Sequence, residues 1–99
     1  MIILMGYVHL ENPSDVNEFL ADVQAIAPDT RAEKGCLFYA VTLDDAHAGR
    51  ILVVERWHNQ ESLAAHLVGE QAAAFQKWLN RIKIDVLKYD ASDERSLMD

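Results

Sequence analysis

The chain has 99 residues, of which 51% are hydrophobic and 25% charged, and its formal net charge is -7. That length suits a single domain, and the acidic balance repels phosphate backbones and anionic lipid, so neither nucleic acid nor a bare membrane surface is an expected partner. The lone cysteine, Cys36, has no partner for an internal disulfide, and the opening run Met1–Met5 lacks the basic flank and cleavage signal of an export leader, so a cytoplasmic location is expected.

Ile2 to Leu10 is short, apolar and closed by Glu11-Asn12-Pro13, which predicts a strand. Asn12 can then cap a helix, with Pro13 at its first position and Asp15 near its positive end. Val16, Phe19, Leu20 and Val23 recur at helical spacing. Pro28 is expected to kink or interrupt this helix, which resumes to Lys34 and stops at Gly35. Cys36 to Leu43 reads as a second strand, Asp44 to Gly49 as a hairpin loop, and Arg50 to Trp57 as a third strand. Asn59 caps a short helix carrying Leu63 and Leu67 that Gly69 breaks. A further helix is expected from about Glu70 to Arg81, and Ile82 to Tyr89 alternates as a last strand.

The predicted order is β-α-β-β-α-β with the second helix in two pieces, a ferredoxin-like α+β domain with an antiparallel four-stranded sheet and helices on one face. One domain over residues 1–89 and a polar tail over 90–99 are expected. The strands are apolar on both faces: Met5 and Tyr7 oppose Leu4, Val8 and Leu10; Phe38 and Ala40 oppose Leu37, Tyr39 and Val41; Ile51 and Val53 oppose Leu52 and Val54. Two helical segments cover one face only. The other would be a larger apolar patch than a monomer usually exposes, which predicts a homodimer packed sheet to sheet.

Motifs with built-in chemistry are few. His9, His47, His58 and His66 form no metal-ligand spacing, and Cys36 has no Cys-x-x-Cys partner. There is no glycine-rich phosphate loop and no Gly-x-Ser-x-Gly elbow. What remains is an aromatic and histidine cluster: Tyr7 and His9 on one face of the first strand, Glu55 and Trp57 on one face of the third, and His66 on the short helix. Apolar walls with a few polar handles are the usual form of a small-molecule site. His66 shares a helical face with Leu63, which turns it toward the sheet if Leu63 is core.

Two segments carry a family resemblance. Arg31-Ala32-Glu33-Lys34-Gly35-Cys36-Leu37-Phe38-Tyr39 resembles the R-x-E-x-G-C-x-x-Y segment of the antibiotic biosynthesis monooxygenase family. Glu55-Arg56-Trp57 followed by Leu63-Ala64-Ala65-His66-Leu67 resembles its E-x-W … L-x-x-H-L block. The resemblance implies a dimeric α+β barrel. It also implies oxidation of a small phenolic or quinol-type aromatic by dioxygen with no cofactor and no metal. Such chemistry needs a base near neutrality and a dry, ring-shaped pocket, because dioxygen attacks an electron-rich phenolate more readily than the phenol. On this reading His66 is the first choice of base, with Tyr7 or His9 second; Trp57, Phe75 and Trp78 are ring-packing walls and Glu55 a polar handle. Relatives that degrade haem resemble a different pattern, an Asn, a Trp and a His where this chain has Tyr7, His66 and Gln76, so haem degradation is not implied. A non-catalytic, dimeric ligand-binding or stress-associated protein is the alternative that the same pocket allows.

Overall fold

The computed structural model describes residues 1–99. Strand β1 (Ile2–Leu10) leads through a 3-10 turn (Pro13–Asp15) into helix α1 (Val16–Arg31). Strands β2 (Cys36–Asp45) and β3 (Arg50–Trp57) follow, then the short helix α2 (Gln60–Leu67) and the four-residue α3 (Glu70–Ala73). A 3-10 turn (Gln76–Trp78) and strand β4 (Ile82–Asp90) close the domain. The sheet is antiparallel throughout in the order β2-β3-β1-β4, the ferredoxin-like α+β arrangement that the alternating elements predict.

Register assigns the faces. Ile2 lies opposite Trp57, Leu4 opposite Glu55 and Val8 opposite Ile51, so these side chains share the face that the helices cover. Their neighbours Met5, Tyr7, Leu52 and Val54 share the open face. Two buried clusters form beneath the helices. The larger joins Val8, Leu10, Ile51 and Val53 to Val16, Phe19 and Val23 of α1 and to Trp78. The smaller joins Ile2, Trp57 and Leu63 of α2.

Three local expectations need correction. Pro28 does not interrupt helix α1, which runs on through it; Pro28 and Gln24, whose carbonyl loses its N–H partner, are both exposed residues. The helix then ends at Arg31, before the expected Lys34. The helix expected over residues 70–81 is only α3 followed by the 3-10 turn, interrupted between them; the three consecutive alanines 72–74 offer it no large apolar side chain to anchor. In β2 the pairing slips between Cys36 and Phe38, leaving Leu37 as the extra residue of a bulge. A one-residue insertion reverses the alternation, so Cys36 joins the covered face beside Trp57 while Leu37 is exposed.

Candidate functional site

A cavity of about 450 Å³ opens between the covered face of the sheet and the segment from α2 to the second 3-10 turn. That is within the ordinary range for small-molecule sites. Its walls are apolar, among them Leu4, Val53 and Val86 from the sheet, Phe19 from α1, and Phe75 and Leu79 from the segment above. The ionisable groups on its wall are Tyr39, Glu55 and His66.

His66 is held from several sides. Asn59 caps α2 by accepting the backbone N–H of Ser62 at 2.8 Å, which fixes the helix start about two turns before the histidine. Leu63 anchors the inner side of the helix among Ile2 and Trp57. Gly35 sits against Ser62 in a left-handed conformation (φ +84°), and a Cβ there would collide with the Ser62 side chain. This close approach brings the loop after α1 to α2 and places Glu33 beside His66, with Nδ1 of the ring 3.0 Å from a Glu33 oxygen. A carboxylate only accepts, so Nδ1 carries the proton, and in the neutral ring Nε2 is then an acceptor. Trp57 stacks on the ring at 4.6 Å between centroids, and Tyr39 meets it edge-on at 6.3 Å. The His66 side chain is 11% exposed.

Glu55 stands next to this unit. Its side chain is 9% exposed, and one oxygen accepts the indole N–H of Trp57 at 2.9 Å while lying 3.9 Å from Nε2 of His66. Burial pushes its carboxyl above the ordinary value; the Trp57 hydrogen bond and the nearby His66 pull it part of the way back, and Glu33 adds a smaller upward push. Burial, the largest cause, likewise raises the Tyr39 hydroxyl, which stays protonated.

The residues singled out in the sequence divide. His66, Glu55 and Phe75 line the cavity, and Trp57 backs it from behind the histidine ring. Trp78 is fully buried in the larger core and does not reach the cavity wall. Tyr7 and His9 lie on the open face with ring centroids 6.0 Å apart, and Arg50 stands over the Tyr7 ring. The sheet therefore separates them from His66 within one chain, and they do not complete its site. Leu67 is 59% exposed at the cavity rim. Glu33 and Tyr39 were assigned no role in the site from sequence. Both lie in the Arg31–Tyr39 segment that carries the family resemblance, which was the available signal.

The comparisons with known proteins agree with this fold. The family model for antibiotic biosynthesis monooxygenase matches residues 1–78, and the chain belongs to that family. No curated protein matches it. Among solved structures, a Deinococcus radiodurans protein assigned to the antibiotic biosynthesis monooxygenases superposes with a TM-score of 0.81 at 24% identity, covering 100% of both chains. A Nitrosomonas europaea protein with the same assignment gives a TM-score of 0.78 at 11% identity over 92% of this chain and 98% of its own. A Mycobacterium tuberculosis protein gives 0.76 at 20% identity over 97% of this chain and 100% of its own. At these identities the likeness speaks for the shared fold. No helix is long and apolar enough to cross a membrane.

Proposed function

We propose that the protein is a monooxygenase that oxidises a small phenolic or quinol-type aromatic with dioxygen, without a cofactor, with His66 as the base. The observation that carries this reading is the Glu33–His66 pair on the wall of an apolar cavity: Glu33 holds Nδ1–H at 3.0 Å, which leaves Nε2 as the proton acceptor. A hydroxyl bound in the cavity gives its proton to Nε2, and the resulting imidazolium is paired with the Glu33 carboxylate. The phenolate left behind is electron-rich enough for dioxygen, and the apolar walls keep water from the reactive anion. Phe75 and the stacked Trp57–His66 pair supply flat surfaces for an aromatic ring. Dioxygen uptake across a panel of quinols and anthrones tests the reading. Turnover of an accepted substrate is expected to fall about a hundredfold or more in His66→Ala with the fold retained. Binding without oxygen uptake by any member of the panel would favour the non-catalytic alternative.

The working form is proposed to be a cytoplasmic homodimer. The open face carries Met5, Tyr7, Phe38, Leu87 and Tyr89, all substantially exposed in the single chain, and a second copy packed sheet to sheet would cover them. On this assignment Val54 belongs to the interface and Tyr39 to the cavity. Size measurement at micromolar concentration is expected to give a dimer; a stable monomer of 11.2 kDa would contradict it.

A further inference from the structure

The base described above uses His66 and Glu33 and leaves one buried titratable group without a task. Glu55 projects from β3 into the cavity wall, opposite Leu4 of β1. One of its oxygens is engaged by the Trp57 indole. The other takes no hydrogen bond from the chain and opens on the cavity. That oxygen lies on an apolar cavity and is accessible from it, so it is free to meet a polar atom of a ligand.

The surroundings of Glu55 narrow what that oxygen does. His66 faces it from α2, Glu33 stands behind His66 on the loop after α1, Tyr39 and Cys36 approach from β2, and Trp57 lies on its own strand. Arg31, whose charge acts on Tyr39 and Cys36, donates to the backbone carbonyl of Tyr39. No lysine or arginine pairs with Glu55. His66 Nε2 lies 3.9 Å from the Trp57-bound oxygen of Glu55, too far for a hydrogen bond, and no closer contact joins it to the other oxygen. This leaves both groups free to bond a third atom placed in the cavity.

We propose that Glu55 is a catalytic residue of the reaction inferred above: its free carboxyl oxygen carries a proton and gives a hydrogen bond to the substrate oxygen whose own proton passes to His66 Nε2. The inference rests on that reading of the pocket. In the step, the substrate O–H bond breaks and its electron pair stays on oxygen, while an N–H bond forms at Nε2. One proton moves and no electrons change hands. The new imidazolium is held by the Glu33 carboxylate, and the new oxyanion by the uncharged Glu55 acid, a donor already aimed at the place where charge develops. Two carboxyl groups near one histidine thus take opposite roles because one is desolvated and the other is more open to solvent.

Two measurements on the full chain test this. The first is difference infrared spectroscopy of wild type against Glu55→Gln at about pH 6, where ordinary carboxyl groups have ionised. A protonated-carboxyl band is expected in the wild type and is expected to vanish in the variant; its absence from the wild type overturns the proposal. The second uses 4-nitrophenol, whose visible absorbance distinguishes phenol from phenolate. Bound to the wild type, it is expected to ionise more than it does free in solution. The bound phenolate-to-phenol ratio is expected to fall about tenfold in Glu55→Leu. It is expected to persist largely in Glu55→Gln, whose amide also donates. A ratio unchanged in Glu55→Leu overturns the role of Glu55 and leaves the phenol pocket standing. Failure of the wild type to bind 4-nitrophenol overturns the pocket reading and this inference with it. The infrared band decides the matter without a ligand if the Leu variant does not fold.

Discussion

The molecule contains the same contact twice, with opposite consequences. In both places a tryptophan indole N–H donates to a carboxyl group: Trp57 to Glu55 at 2.9 Å, and Trp78 to Asp22 at 2.8 Å. Asp22 lies near the surface, where Lys77 also donates to it at 2.8 Å. Its carboxyl falls below the ordinary value, chiefly through the Lys77 hydrogen bond and then that of Trp78. Glu55 lies in an apolar wall with no such cation, and its carboxyl rises through burial despite the same indole bond. The indole bond favours the ionised carboxyl in each case; desolvation decides the outcome at Glu55 and the lysine decides it at Asp22. The Trp78–Asp22 contact fastens the irregular segment above the cavity to α1. The Trp57–Glu55 contact leaves a titratable acid facing the cavity.

The strongest way to sharpen this comparison is to remove the fastening. Trp78 is fully buried against Phe19, with ring centroids 5.1 Å apart, and Arg81 lies over its outer face. Trp78→Ala is expected to lose about 3–5 kcal/mol of stability, measured by denaturant titration, a large share of what a domain of this size has. A loss below about 1 kcal/mol would mean that the segment is held by something other than this residue.

A smaller and more selective test uses the pH dependence of stability. Asp22 has its carboxyl lowered in the fold, so the stability it contributes is present above its unfolded value of 3.8 and is lost as pH falls through the lower folded value. Asp22→Asn is expected to flatten the acid limb by about 1 kcal/mol or less, since the pair is largely exposed. Glu55 has the opposite sign. Its contribution is complete below 4.5 and is lost as pH rises through its higher folded value. Glu55→Gln is therefore expected to gain stability relative to the wild type as pH rises above that range. Thermal melts of the two variants across pH 3–8 read both limbs; a shared direction would mean that the indole contact, and not its surroundings, governs these groups.

Much of the architecture was legible because hydrophobic alternation and turn residues act over a few neighbours. The strands were placed to within a residue or two, and the order of elements identified the ferredoxin-like sheet. The bulge at Leu37 and the unbroken run of α1 through Pro28 were not legible, since each depends on what lies across the fold. The site was half legible. His66 could be turned inward on the strength of Leu63 at helical spacing, but the sheet face of Tyr7 and His9 depended on pairing register. Glu33 is 33 residues away from His66 in the chain, and the packing of Gly35 on Ser62 with the His58 N–H bond to the Gly35 carbonyl brings them together.

The central claim is that Glu33 sets the histidine tautomer so that Nε2 presents a lone pair to the cavity. Nitrogen-15 chemical shifts of the His66 ring, recorded on the alkaline side of its titration, test this without any substrate. A protonated Nδ1 and an unprotonated Nε2 are expected, with that preference weakened in Glu33→Ala. A proton found on Nε2 in the wild type would put a donor where the account requires an acceptor, and His66 could not then be the base.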